Sequence, residues 1–306
     1  MKKLLESHHP YAAVTILCWS LAYVFTRLTV GYFSASSLGF LRNFIASCVL
    51  LAVAVFTRMK LPRRKEVPWY LISGAVGIFF YIIAFNQGQA TVSAATASVV
   101  IATAPVITAL LARVFYREKL FPRQWAAVAL ELLGVTVLTL LNDVFSLNSG
   151  LLWLFLAALA LSSYNLLQRR LTKSSSSLQA TTYSIFVGTA LFSVFAHEAF
   201  RELAAAPPAQ YACLAVLGLG SSALGYLSWA KAFSKAQKTS QVSNYMFLTP
   251  LVTSVLGFLI AGEVPDRATV LGGGIILLGM LVFQFGGKPR PGKAADGEDP
   301  NPPENS

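Results

Sequence analysis

Charged residues are scarce in this chain. Only 12% of its 306 residues are Asp, Glu, Lys or Arg, whereas 55% are hydrophobic. A soluble domain usually has about 25% charged residues, so this composition excludes a water-facing surface of ordinary size. The sequence therefore predicts an all-α integral membrane protein. We expect the lipid bilayer as its partner and no nucleic acid, despite the net charge of +11.

Cysteine and histidine are equally scarce. Cys18, Cys48 and Cys213 all lie within apolar segments, and the three histidines form no cluster with them. A disulfide framework or a zinc site needs several suitably spaced ligands. We therefore expect no metal site and no cofactor. The chain also lacks the G-x-x-x-x-G-K-[ST] sequence that binds nucleotide phosphates, so we do not expect primary active transport.

Long apolar segments, by contrast, follow one another along almost the whole chain. A helix needs roughly 20 mostly apolar residues to cross a bilayer. Ten segments come close to that length, so the sequence predicts ten transmembrane helices, five in each half. Their expected bounds are Tyr11–Val30, Ser36–Thr57, Trp69–Gln87, Val92–Phe115, Gln124–Leu141, Ser149–Gln168, Leu178–Ala196, Ala209–Ala230, Thr239–Gly262 and Ala268–Phe285.

The two halves of the chain repeat one sequence pattern. Several residues of the first half recur in the second with the same type and at one constant interval. The most specific pairs are Pro105 with Pro250, Glu118 with Glu263, and Gly134 with Gly279. Such an internal repeat indicates a duplicated unit. We assign the units to residues 11–141 and 149–285, between an N-terminal cytoplasmic tail (1–10) and a disordered cytoplasmic tail (286–306).

Basic residues are concentrated in the tails and after the even-numbered segments. All but Arg27, Arg42, Arg201 and Arg267 of the 24 Lys and Arg residues lie there. Because cytoplasmic loops carry an excess of Lys and Arg, we expect a multi-pass protein of the cytoplasmic (inner) membrane with both termini in the cytoplasm. Five helices per unit then make the second unit an inverted copy of the first. This symmetry is typical of secondary transporters, whose substrate site lies between the repeats.

Four short motifs resemble those of the EamA-type drug/metabolite transporters. They are Trp19-Ser-Leu-Ala-Tyr-Val-Phe-Thr-Arg27, Leu41-Arg42, Ala104-Pro105-Val106 ahead of Glu118, and Thr249-Pro250-Leu251 ahead of Gly262-Glu263. The resemblance covers about residues 10–286. It implies two inverted five-helix repeats around a central cavity, and export or exchange of small metabolites such as amino acids. It also implies that Glu118 and Glu263 bind backbone donors at the next helix start, with substrate contact as the alternative.

Two other classes of function are compatible with such a membrane protein. A lipid flippase or an accessory subunit on the same fold is the main alternative. An enzyme acting on lipid-linked substrates would need paired acids or a nucleophile with its base. Glu131 has no obvious partner acid in the sequence, so we expect no enzymatic activity.

Aromatic and amide side chains on repeat-related segments form the predicted substrate site. Aromatic walls with few charges suit amphipathic solutes, which they hold by stacking and by cation–π contact. Ordinary helix packing is the alternative for each residue. The predicted substrate-binding residues are Trp19, Tyr23, Tyr81, Phe85, Tyr164, Asn165, Tyr226, Trp229, Asn244 and Tyr245.

Two charged residues and two prolines lie within the predicted spans. Arg42 lies about two turns into the second span, and Glu131 lies roughly 12 Å deep in the fifth. Ionisable groups at bilayer depth are costly and usually functional. We expect Glu131 to bind protons, as one option for a coupling ion, or a substrate amine; a structural acid is the alternative. Pro105 and Pro250 bend their helices, with paired gating and simple packing kinks as the two interpretations.

Overall fold

The computed structural model describes residues 6–117, 121–141 and 149–286. Their regular secondary structure is entirely helical, which confirms the predicted all-α class. Eight helices are long and apolar enough to cross a membrane, so the chain is a multi-pass membrane protein. They are α1 (His9–Thr29), α2 (Ala35–Phe56), α3 (Val67–Gln89), α4 (Ala94–Tyr116), α6 (Ser149–Ser174), α7 (Ser177–Ala205), α8 (Pro208–Lys235) and α9 (Thr239–Ala261).

Two further helices complete the described fold. Helix α5 spans Pro122–Leu141 and helix α10 spans Arg267–Gly286, with 20 residues each. They pack along each other, beside the bundle formed by the other helices. Several residues at their ends lie outside the part of the chain whose side chains are described.

Helices α6 and α7 are longer than the apolar segments predicted. Helix α6 continues through Arg169 and Arg170 to Ser174, because no glycine or proline stops it where the apolar run ends. Ser176 then caps α7, and its capping box with Gln179 fixes where α7 begins. Charged residues can therefore lie on the same helix as the apolar run that precedes them.

Helices α4 and α9 are interrupted just before a proline. In α4 the segment Ala94–Ile101 ends before Ala104–Tyr116, which begins next to Pro105. In α9 a 3₁₀ stretch, Asn244–Leu248, precedes Thr249–Ala261, which begins next to Pro250. Proline has no N–H to donate and is tolerated in the first turn of a helix. Each interruption thus places its proline where no helical hydrogen bond is lost.

Helices α3 and α8 each contain a π-helical stretch near the middle. The stretches are Ala75–Phe80 in α3 and Val216–Gly225 in α8. π-Helical turns are rare and often occur at functional sites. Here they lie where α3 meets α6 and α7, and where α8 meets α1 and α2.

One end of the bundle carries basic side chains from several helices, and we call it the basic end. Arg170 at the end of α6 lies 3.9 Å over the ring of Trp69 at the start of α3. Lys235 at the end of α8 lies 5.7 Å from the ring of Tyr11 at the start of α1. Helices α1 and α3 therefore begin where α6 and α8 end.

The opposite end is joined by contacts around Arg27 at the end of α1. Its guanidinium donates to the carbonyl oxygen of Ala90 (3.2 Å) at the end of α3. It also lies 3.7 Å from the carboxylate of Glu263, which follows α9. Another Glu263 oxygen accepts a hydrogen bond from the backbone N–H of Ala94 at the start of α4 (3.1 Å). Helices α1, α3 and α9 thus end where α4 begins, so helix direction alternates through the bundle.

Candidate functional site

A small cavity lies between α1, α2, α3, α8 and α9. Its volume is about 10 Å³, roughly what one water molecule needs. Sites for small molecules are usually at least about 300 Å³, so the cavity in this conformation is far smaller than such a site. Its walls are Trp19, Ala22, Tyr23, Arg42, Tyr81, Phe85, Ser221, Tyr226, Met246 and Thr249.

Aromatic rings form much of the cavity wall. The ring centroids of Trp19 and Tyr226 are 5.3 Å apart, and those of Tyr23 and Phe85 are 4.9 Å apart, both edge to face. Tyr81 lies 5.7 Å from Phe85. These geometries are the favoured ones for aromatic pairs. The structure therefore brings together five of the ten residues predicted to bind substrate.

Three more of the predicted residues form a layer behind this wall. The indole N–H of Trp229 donates to the side-chain oxygen of Asn165 at 2.9 Å, and its ring lies 5.1 Å from Trp19. Tyr164 lies 5.5 Å from Tyr226, edge to face. All three side chains are buried. Their position supports the wall, and none of them lines the cavity itself.

Two glycines let rings of α1 and α6 approach the backbone of the π-helical helices. A Cβ atom on Gly77 of α3 would lie 2.0 Å from Cδ2 of Tyr164. A Cβ atom on Gly225 of α8 would lie 2.9 Å from the indole nitrogen of Trp19. A side chain at either position would displace an aromatic ring of the site.

Arg42 is the charged residue of the cavity wall. Its side chain is only 3% exposed. Nε donates to the hydroxyl of Ser222 at 2.9 Å, and Nη2 donates to that of Ser221 at 2.6 Å. Within the described ranges, the one ion pair closer than 4.0 Å joins Arg27 to Glu263. Arg42 is thus held by neutral hydroxyl groups.

The sequence did not indicate Ser221, Met246 or Thr249 as wall residues. Ser221 and Ser222 are adjacent hydroxyls in an apolar segment, which is a usable signal. Thr249 directly precedes Pro250, so its position beside the helix interruption could be inferred from the sequence as well. Met246 offered no signal, because methionine is an ordinary packing residue in apolar helices.

Two predicted substrate residues lie away from the cavity. The hydroxyl of Tyr245 forms a hydrogen bond with Nδ1 of His9 at the start of α1. Asn244 is half-buried, and its side-chain oxygen has no partner among the described residues. Both belong to the 3₁₀ stretch of α9, whose Met246 faces the cavity instead.

Glu131 lies on α5, where α5 packs against α10. A Cβ atom on Gly279 of α10 would lie 2.8 Å from Cγ of Glu131. The side chain is 1% exposed, and neither carboxyl oxygen has a hydrogen-bond partner among the described residues. The structure therefore places the predicted proton site outside the cavity wall.

Of the two repeated glutamates, the structure describes only Glu263. Glu118 lies outside the described residues. Glu263 binds a backbone donor at a helix start, as the resemblance implied, but the helix is α4 and not the next helix, α10. The difference arises because α4 begins beside the end of α9 in the bundle.

Comparisons with known proteins identify the class. The EamA-like transporter family matches residues 8–140 and, a second time, residues 148–285. A crystal structure shares the fold with a TM-score of 0.65 at 18% identity, covering 91% of this chain and 97% of its own. The chain is therefore a membrane transporter protein by class. It belongs to the EamA-like transporter family.

Individual relatives carry transporter names as well. The "Uncharacterized transporter YdfC" of Bacillus subtilis is 31% identical over 270 residues, or 87% of each chain. The "Probable terminal-alkyne amino-acid exporter" of Streptantibioticus cattleyicolor is 28% identical over 271 residues, covering 88% of this chain and 91% of its own. The "S-adenosylmethionine uptake transporter" of Rickettsia bellii is 25% identical over 249 residues, covering 81% and 83%.

Proposed function

We propose that this chain is a secondary transporter of the cytoplasmic membrane that exports or exchanges small amphipathic solutes, with amino acids as the first class to test. The observation that carries this proposal is the small aromatic-lined cavity between the helices. Its rings suit the apolar part of such a solute, and its polar groups suit the charged part. A relative named as an amino-acid exporter supports the same class.

The proposal includes ten transmembrane helices arranged as two inverted units. Helices α5 and α10 each have the 20 residues that a span needs. The two family matches support a duplicated unit. Features recur at the interval between Pro105 and Pro250: both prolines open helix segments, and these end at the left-handed residues Arg117 (φ 55°) and Gly262 (φ 65°).

One contact between α5 and α10 occurs twice, as two-fold symmetry requires. Glu131 of α5 meets Gly279 of α10, with 2.8 Å between Cγ and an added Cβ. At the same interval along the chain, Ile276 of α10 meets Gly134 of α5, with 2.6 Å between Cγ1 and an added Cβ. This reciprocity supports an axis that exchanges the two units.

The division of the cavity between these units supports the proposed alternating access. Helices α1, α2 and α3 of the first unit form one wall, and α8 and α9 of the second form the other. Rocking one unit against the other opens such a site to each side in turn. The contact of Arg27 with Glu263 joins α1 to α9 at the end opposite the basic end. This contact must separate when the cavity opens there.

Flux in proteoliposomes tests the proposed function. The purified chain is reconstituted, and uptake of labelled amino acids is measured against an unlabelled internal pool. We expect saturable, protein-dependent exchange of at least one amphipathic amino acid. Absence of exchange for all of them, together with movement of a fluorescent phospholipid between leaflets, would contradict the proposal and favour a lipid flippase.

Cysteine labelling tests the proposed orientation, with the basic end in the cytoplasm. In a variant without Cys18, Cys48 and Cys213, single cysteines are introduced and treated with an impermeant maleimide. External positions are expected to label in intact cells, and internal ones only after permeabilisation. The external positions are Ser34, Asn148 and Pro207; the internal ones are Pro62 and Ser174. The opposite labelling pattern would overturn both the orientation and its use for the inverted repeat.

A further inference from the structure

The cavity wall is rich in hydrogen-bond donors and contains no acid. Its ten residues include one guanidinium, one indole, three phenols and two further hydroxyls, but neither Asp nor Glu. An arginine side chain carries five N–H groups. Two of those on Arg42 donate to Ser222 and Ser221. Within the described part of the chain, the other three have no acceptor.

Two hydroxyl groups of the same wall also lack partners. Tyr226 and Thr249 are 1% and 4% exposed, and neither hydroxyl oxygen has a hydrogen-bond partner among the described residues. Buried polar side chains are satisfied in the large majority of cases. Other buried side chains of the bundle also lack partners, but these two line a cavity together with a buried guanidinium, so a ligand in that cavity can supply the missing acceptors.

The charge of Arg42 also lacks a match. A buried charge is costly unless an opposite charge pairs with it. Hydroxyl oxygens of Ser221 and Ser222 are neutral acceptors, and the described residues place no carboxylate within 4.0 Å of Arg42. Glu131 does not compensate, because it lies between α5 and α10 and not in the cavity wall.

We propose that Arg42 binds a carboxylate group of the transported solute and so makes this a transporter of carboxylate-bearing amphipathic molecules. This inference rests on the proposed function and deepens it. The guanidinium fork matches the geometry of a carboxylate, and the hydroxyls of Tyr226 and Thr249 donate to the same group. The apolar part of the solute then lies against Trp19 and Phe85.

This assignment separates two kinds of amphipathic solute that an aromatic cavity alone would not distinguish. A zwitterionic amino acid brings a carboxylate to Arg42, and rings can hold its ammonium group by cation–π contact. An organic cation without a carboxylate brings a like charge to a buried arginine. The cavity therefore selects for the carboxylate group.

Three matched probes test the inference by binding and by flux. They are L-phenylalanine, L-phenylalaninamide (without the carboxylate) and 3-phenylpropionate (without the amine). Binding is measured by competition against radiolabelled L-phenylalanine on purified protein, and flux is measured in proteoliposomes. We expect L-phenylalanine and 3-phenylpropionate to compete, and the amide to bind about 10- to 100-fold more weakly, the range typical of losing a charged hydrogen bond.

Substitution of Arg42 gives the reciprocal test. Arg42→Gln should weaken binding of both carboxylate probes by about 10- to 100-fold and leave the amide unchanged. Arg42→Lys, which keeps the charge but loses the fork, should give an intermediate loss. Arg201→Gln is the matched control, because Arg201 is exposed and lies outside the cavity wall. If Arg42→Gln does not fold, the comparison of the three probes on the native chain decides.

The two readouts separate failure of the inference from failure of the proposed function. Carboxylate-dependent binding without flux supports the role of Arg42 and overturns the proposed transport. Flux of the amide equal to that of L-phenylalanine overturns the role of Arg42 and retains transport. Absence of both binding and flux for all three probes overturns both.

Discussion

Arg42 and Glu131 are two deeply buried charged residues in two different regions of the molecule. Arg42 faces the cavity, where two hydroxyls accept its hydrogen bonds. Glu131 lies between α5 and α10 against Gly279, and its oxygens have no partner among the described residues. Their burial is nearly the same, so burial alone does not tell what a charged group in the membrane does.

The difference lies in what can reach each group. Arg42 lines a cavity, which under the proposed alternating access widens and lets a solute group reach the guanidinium. On the α10 side of Glu131 there is no room even for one methyl group on Gly279. A substrate amine does not fit into that contact, but a proton does. The comparison thus supports a proton-binding hypothesis for Glu131 over substrate contact.

The largest effect, a loss of stability, is expected from adding a methyl group at Gly77, which packs against Tyr164 in the layer behind the cavity wall. Its Cβ would overlap Cδ2, Cγ and Cβ of Tyr164 at 2.0, 2.5 and 2.7 Å, so rotating the tyrosine ring cannot relieve the clash. Overpacking of a core usually costs about 1–3 kcal/mol or more. We expect Gly77→Ala to lower the melting temperature in detergent by several degrees, since about 1 kcal/mol shifts it by roughly 2–4 °C in a chain of 150–250 residues.

A methyl group added at Gly279, in the α5–α10 pair, gives the matching test for that region. Gly279→Ala would bring its Cβ to 2.8 Å from Cγ of Glu131 and 3.0 Å from the carbonyl oxygen of Ala127. We expect a smaller loss of stability than for Gly77→Ala. Gly220→Ala and Gly274→Ala are controls, because no atom lies within 4 Å of the added Cβ. Equal losses in all four variants would show that glycine packing does not distinguish the regions.

The helices themselves were largely visible in the sequence. The bounds of α1–α5 and of α9 and α10 differ from the apolar segments by at most two residues, because a span is defined by a long run of side chains without charge. Helices α6–α8 extend further, since polar residues after the apolar run continue the same helix. Hydropathy locates the apolar run, but it does not locate the residue at which the helix ends.

The residues of the cavity wall were predicted less completely than the helices, because the face of the helix that each side chain occupies decides whether it lines the cavity. Trp19 and Tyr23 share one face of a regular helix, so their common position could be inferred from spacing alone. Tyr245 lies in a 3₁₀ stretch, where the number of residues per turn changes and Met246 takes the inward position. Ser221 lies in a π-helical stretch for which the same limit holds. Irregular turns, which sequence periodicity does not reveal, decide these positions.

An intermediate effect is expected from the aromatic residues of the cavity region. Single substitutions Trp19→Ala, Tyr81→Ala, Tyr226→Ala and Trp229→Ala should each weaken apparent affinity by roughly two- to tenfold, because an aromatic contact contributes about 0.5–1.5 kcal/mol beyond its buried area. The first three residues line the cavity, and Trp229 supports Trp19 from behind. Concentration-dependent flux in proteoliposomes at matched protein content is the measurement.

Phe56→Ala is the control for the aromatic series, because Phe56 is 88% exposed at the end of α2. It should leave both affinity and rate unchanged. If all four cavity variants behave like Phe56→Ala, these rings serve helix packing alone. The solute site then lies elsewhere, and the contrast between the cavity and the α5–α10 pair loses its basis.

The smallest change is expected from Glu131→Gln, which should alter the pH dependence of flux and little else. Burial without a partner disfavours the ionised form of a carboxyl group, and glutamine has nearly the shape of the protonated acid. Stability and solute affinity should therefore stay close to those of the native chain. The dependence of flux on pH, measured from pH 5.5 to 8.5, should become flatter, because the variant cannot bind or release a proton at this position.

Glu198→Gln is the control for Glu131→Gln, since Glu198 is exposed near the end of α7 and lies far in sequence from the α5–α10 contact. A pH profile of Glu131→Gln that matches those of the native chain and of this control would show that Glu131 is a structural acid, and protons would then have to couple at another group or not at all.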